Sequence, residues 1–196
     1  MTMFSDPECI HSHRVRLVLA EKGIQAEVES CDPNNKPEDL VQLNPNNSLP
    51  TLVDRDLVLY DARVVVEYLD ERYPHPPFMP IDPVSRARTR LALFRIESDW
   101  YALLPFLEEG GESAQTARHQ LAESLTASAD VFAAMPYFLS EEFSMLDATL
   151  APLLWRLNHY GIELPKAAMS ITDYSKRVFA RSGFQASLTD RERELG

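Results

Sequence analysis

The chain has 196 residues, 45% of them apolar, and sets 30 Asp and Glu against 19 Lys and Arg for a formal charge of −11. Phosphate binding draws on a basic surface that releases counterions, so this balance argues against nucleic acid as a direct, sequence-specific ligand. A mean hydropathy of −0.24, with no apolar run near the roughly 20 residues of a membrane helix, argues against a transmembrane span. The opening MTMFSDPECI has no basic segment followed by an apolar one, which makes the cytoplasm the expected location. Cys9 and Cys31 form neither a CxxC nor a zinc-type spacing, so free thiols and no metal are expected.

In chain order, MTMF reads as a short strand ended by Ser5-Asp6-Pro7. From Ile10, the residues Val15, Leu17, Val18 and Leu19 recur at helical spacing among Arg14, Arg16, Glu21 and Lys22, and Gly23 stands where a left-handed C-cap is wanted. Residues 25–30 alternate as a second strand with Ala26 and Val28 on one side, and 32–47 is a polar loop with room for at most a short helix. Leu49 to Val53, the turn Asp54-Arg55-Asp56, and Leu57 to Tyr60 predict an antiparallel hairpin. Asp61 then begins a helix through Val64, Val65, Tyr68 and Leu69 that Tyr73-Pro74 stops. The order β-α-β-loop-β-β-α predicts a thioredoxin-like α/β domain over residues 1–74.

Pro74, Pro76, Pro77, Pro80 and Pro83 make residues 75–83 a proline-rich linker. Beyond it, helices are expected over 84–109, 113–134, 145–160 and 167–181, an all-helical bundle filling 84–196. Trp100, Tyr101 and Phe106 read as core or interface aromatics. Arg86, Arg88, Arg90 and Arg95 read as a solvated helix face paired with nearby acids, or else as a site for acidic groups. His11 and His13 are two apart on a helix and point to different sides, so they do not chelate with Cys9.

This α/β-then-helical order resembles the glutathione transferases. Ser48-Leu49-Pro50-Thr51-Leu52 resembles their cis-proline loop, whose backbone pairs with the glutathione cysteinyl unit; taken alone, Pro50 fits a proline opening an edge strand equally well. Asp61-Ala62 stands where that family places an acid and a hydroxyl for the γ-glutamyl group, with the acid kept and the hydroxyl lost. Cys9 aligns with the cysteine of the omega-like thiol transferases, although Ile10 replaces their usual proline. A helix start favours the thiolate, while Asp6 and Glu8 beside it oppose it. Phe143-Ser144-Met145-Leu146-Asp147 resembles the family's capping box. In it Ser144 caps the first backbone donors and Asp147 reaches back to the Ser144 amide, a structural element worth about 0.5–2 kcal/mol.

A narrower resemblance covers nearly the whole chain. Residues 12–23, 50–57, the run EYLDERYPHPPFMP at 67–80, and Leu153-Leu154-Trp155-Arg156-Leu157 look like the stringent starvation protein A family. That resemblance implies a transcription regulator in which a homodimer associates with RNA polymerase and its primary sigma factor, without glutathione transferase activity or a required cofactor. Its partner surface falls on Pro74, His75, Pro76 and Pro77. This chain departs from the family at Asp82, where members can carry an aromatic. The competing expectation is a glutathione-dependent thiol transferase using Cys9, with Ser48, Leu49, Pro50 and Asp61 as a glutathione pocket that is vestigial under the first reading.

Overall fold

The computed structural model describes residues 1–195. Strand β1 (Thr2–Ser5) is followed by helix α1 (Ile10–Glu21), strand β2 (Glu27–Ser30) and short helix α2 (Glu38–Leu43). The hairpin β3 (Thr51–Asp54) and β4 (Leu57–Leu59) leads into α3 (Ala62–Arg72). The sheet order is β2-β1-β3-β4: β1 and β2 are parallel, which requires the α1 crossover, and the other pairs are antiparallel. Arg55 turns the hairpin at φ 57, and Gly23 ends α1 at φ 62. Edge strand β2 is mostly exposed, Val28 included, and its Glu27 and Glu29 discourage pairing with another chain. Met3, Val15, Leu17, Val18, Leu52, Val65 and Leu69 form the core of this unit, while Phe4, Cys31 and Leu40 pack with Leu49 and Val53 in a separate cluster.

The helical unit contains α4 (Pro83–Asp99), α5 (Leu104–Glu109), α6 (Gly111–Ala127), α7 (Ala129–Ala134), α8 (Met145–Trp155) and α9 (Met169–Phe179). The expected helix over 84–109 is broken by a 3-10 turn at Tyr101–Leu103, after which Pro105 takes a first-turn position of α5, where its missing N–H is tolerated. The helix expected over 113–134 divides at Ser128, whose hydroxyl bonds back to Ser124 O at 3.0 Å. Apart from Asp147 and Thr149, α8 is apolar, and it is buried on nearly every side. Around it Phe132 meets Phe138 at 4.7 Å and Tyr174 at 5.0 Å, while Trp100 Nε1 donates to Ser124 Oγ at 2.8 Å. Trp100 and Tyr101 are thus core aromatics, whereas Phe106 is exposed.

The first unit comprises Met1–Pro77 and Arg181–Glu194, and the second begins at Phe78 and runs to Ala180. This corrects the assignment of all of 84–196 to the helical domain, because α10 (Ser182–Ser187) and α11 (Asp190–Arg193) pack with the first unit, against α1. The cause is visible on α1 itself. Ser12, His13, Arg14 and Arg16 are buried despite their polarity, and His13 and Arg16 bond into the returning segment. Arg16 Nη2 pairs with Glu192 Oε2 at 2.6 Å, Arg16 Nε donates to Ser187 O at 3.0 Å, and His13 Nε2 lies 3.0 Å from Ser187 Oγ. Arg181 donates from Nε and Nη2 to the two carboxylate oxygens of Glu21 at 2.8 and 2.6 Å, and a Cβ on Gly183 would stand 2.6 Å from the Glu21 carboxyl carbon. The proline-rich 75–83 is likewise divided: Pro77 closes the first unit, and Asp82 caps α4 by accepting from Ser85 N at 2.8 Å.

Candidate functional site

α3 ends at Tyr73, whose N–H reaches Leu69 O at 3.0 Å, and Pro74 cannot continue the ladder. Pro74, His75, Pro76 and Pro77 are all exposed, and the His75-Pro76 peptide is cis. Beneath them the Lys22 side chain is fully buried. Its ammonium donates to Tyr73 O at 2.8 Å and Pro76 O at 2.6 Å and pairs with Asp70 Oδ1 at 2.7 Å. The backbone on both sides of His75 is therefore held while the imidazole projects outward.

The other end of α3 is arranged differently. Asp61 N-caps the helix by accepting from Arg63 N at 2.9 Å, and its carboxylate also engages the Arg63 guanidinium through both oxygens. Chiefly through the Arg63 side chain, its pKa is held down to about 2. Ala62 beside it is buried and has no hydroxyl.

In the loop before β3, Leu49-Pro50 is a cis peptide, in keeping with the cis-proline resemblance. The Ser48 hydroxyl and carbonyl are engaged by fully buried Asn44, whose Nδ2 donates to Ser48 Oγ at 3.2 Å, to Ser48 O at 3.3 Å and to Thr51 Oγ1 at 2.9 Å. Nothing in the sequence marks Asn44 out beyond its place after the apolar residues of α2, where it accepts from Asn46 N as an Asx turn.

Cys9 is half-buried at the N-cap of α1 and makes no side-chain cap bond. Its loop is laced from several directions. Asp6 Oδ1 accepts from Glu8 N at 2.8 Å and Cys9 N at 3.3 Å, Arg16 donates to Asp6 O at 3.1 Å, and Thr189 Oγ1 donates to Pro7 O at 2.7 Å. Cys31 is buried, and desolvation pushes its thiol up. Among the described residues, no group of three His, Cys, Asp or Glu side chains converges as a metal site.

In the helical unit Ser144 and Asp147 form a capping box: Ser144 Oγ accepts from Leu146 N at 3.2 Å, and Asp147 Oδ2 accepts from Ser144 N at 2.8 Å. Asp147 has further partners that sequence did not suggest, since its Oδ1 accepts from Phe138 N at 2.9 Å and from the buried Tyr174 hydroxyl at 2.6 Å. Burial raises the Asp147 carboxyl above its ordinary value, against the pull of these bonds, and burial together with Asp147 raises the Tyr174 hydroxyl well above its own.

Family comparison divides the chain between the glutathione S-transferase N-terminal domain, over residues 8–72, and the glutathione S-transferase C-terminal domain, over residues 72–182. A stringent starvation protein A homolog of Pasteurella multocida is 51% identical over 190 residues, covering 96% of this chain and 90% of that protein. The homolog of Coxiella burnetii is 48% identical over 197 aligned residues, covering 100% and 94%. The chain belongs to the stringent starvation protein A family. Its fold is that of the transferases: the structure of BphK, a bacterial glutathione S-transferase, matches with a TM-score of 0.87 at 23% identity, covering 98% of this chain and 100% of that one. The expected thioredoxin-like domain followed by a helical domain is therefore the architecture of this stringent starvation protein A family member. Among its described residues no helix is long and apolar enough to cross a membrane.

Proposed function

We propose that this protein is a cytoplasmic transcription regulator of starvation or stress that binds RNA polymerase holoenzyme, at its primary sigma factor, as a homodimer. Pro74, His75, Pro76 and Pro77 form the contact surface. The observation that carries this reading is the exposure of His75 on a loop whose flanking carbonyls are both bonded to buried Lys22. Such a loop loses little conformational freedom on binding, and the imidazole offers a donor and an acceptor. The charge of −11 suits docking on basic polymerase or sigma surfaces and disfavours direct contact with DNA. In support of a homodimer, α4 exposes Val84, Leu91 and Phe94 at 62%, 62% and 63%, an apolar stripe along one face.

The same reading assigns the protein no cofactor and no glutathione transfer. Asp61 is occupied by the α3 cap and by Arg63, Ala62 lacks the hydroxyl, and Ser48 is bonded to Asn44. A second reading, thiol transfer from Cys9 with Ser48, Leu49, Pro50 and Asp61 around glutathione, draws on the half-buried thiol at the start of α1 and the cis Leu49-Pro50 bond.

A pull-down of purified RNA polymerase holoenzyme with wild type, His75→Ala and Cys9→Ser, with glutathione-disulfide exchange assayed on the same preparations, separates the two. The regulator reading predicts retention by wild type and Cys9→Ser, loss with His75→Ala, and no exchange activity. Exchange that disappears with Cys9→Ser, without polymerase retention, contradicts it.

A further inference from the structure

We infer that Lys22 is the positioning residue of the Pro74–Pro77 surface: its buried ammonium fixes the loop before a partner arrives, so that His75 is presented preformed. The inference rests on the partner-binding reading of His75 and names the part of the fold that makes such binding efficient.

Taking an ammonium out of water is costly unless its donors are matched. Lys22 has three N–H donors, and the structure supplies three acceptors within 2.8 Å: Asp70 Oδ1, Tyr73 O and Pro76 O. Two of these serve the fold by themselves. Asp70, itself 6% exposed, neutralises the charge, and Tyr73 O lies at the C-terminal end of α3, where a cation is favoured. Pro76 O serves neither purpose. It lies beyond the helix, on the far side of His75, and its capture constrains only the exposed loop.

The consequence is a two-point tether. Tyr73 O and Pro76 O are bound to one nitrogen, so the intervening Pro74 and His75 span a fixed distance, and proline rings already restrict φ at Pro74 and Pro76. Because those two carbonyls are engaged inward, the partner reads the imidazole and the proline rings and not these backbone acceptors. Ordering the loop in advance removes that cost from the binding step.

The test uses the full-length protein and two readouts. The first is the 15N order parameter of the His75 amide in the free protein, for wild type and for Lys22→Met/Asp70→Leu, a double change that removes both charges of the Lys22–Asp70 pair. The second is the affinity of each, and of His75→Ala, for RNA polymerase holoenzyme by fluorescence anisotropy. The expected result is a wild-type order parameter of about 0.85 although the loop is exposed, falling below about 0.6 in the double variant, with affinity weakened about tenfold. A wild-type His75 amide that is already mobile overturns the inference without any variant, so a double variant that fails to fold does not shelter it. A folded double variant with an unchanged order parameter, or with a loosened loop and undiminished affinity, also overturns it. If wild type does not bind polymerase, the partner reading fails, while the order parameters still decide the tether.

Discussion

The two ends of α3 carry similar polar chemistry and use it in opposite ways. At the N-terminal end, the half-exposed Asp61 carboxylate is engaged by the α3 backbone and by the Arg63 guanidinium. At the C-terminal end the backbone carbonyls turn inward to Lys22 and the His75 side chain is left outside. At one end a side chain is taken up by internal partners. At the other the backbone is taken up and the His75 side chain stays exposed.

The largest expected effect lies in the helical unit and sets the scale for the rest. Asp147→Ala removes a cap and strips the buried Phe138 N–H and Tyr174 hydroxyl of their acceptor, and should lower stability by about 3 kcal/mol in denaturant titrations. Asp61→Ala removes a half-exposed cap and should cost only about 1 kcal/mol, solvent screening included, while leaving polymerase binding unchanged. A large loss of binding from that change would break the contrast between the two ends of α3.

The two acids also differ in the sign of their pH linkage. Asp61 is held down to about 2 from an ordinary 3.8, so its contribution is present above pH 3.8 and is lost as the pH falls from there towards 2. Asp147 is raised, so its contribution is present below pH 3.8 and is lost as the pH rises through its elevated value. Acid titrations of Asp61→Asn and Asp147→Asn against wild type should therefore show differences of opposite slope. The smallest expected effect is that of Cys9→Ser, which should leave polymerase affinity unchanged within error.

Local signals in the sequence carried the fold a long way. Gly23 as a C-cap, Asp61 as the start of α3, the Ser144–Asp147 box and the hairpin around Arg55 are all properties of a few neighbouring residues, and each stands where the pattern put it. Pro105 was a legible break within the helix expected over 84–109, and the apolar spacing around it masked that break. What could not be read depends on distant segments. The buried polar face of α1 makes sense only once α10 and α11 return to it, and a helical pattern scored on hydrophobicity sees Ser12, His13 and Arg16 as solvent-facing. The same limit applies at the candidate site. PHP is conspicuous as a motif, but Lys22 is indistinguishable in sequence from any lysine near a helix end, because two of its partners are backbone carbonyls some fifty residues away.

The most direct test of the central claim is a titration of fluorescently labelled RNA polymerase holoenzyme with wild type and His75→Ala at one salt concentration, alongside thermal unfolding of both proteins. The account predicts saturable wild-type binding that weakens at least roughly 30-fold on removal of the imidazole, with stability unchanged within about 0.5 kcal/mol. Equal affinities for the two proteins, or no saturable binding by wild type, would contradict it.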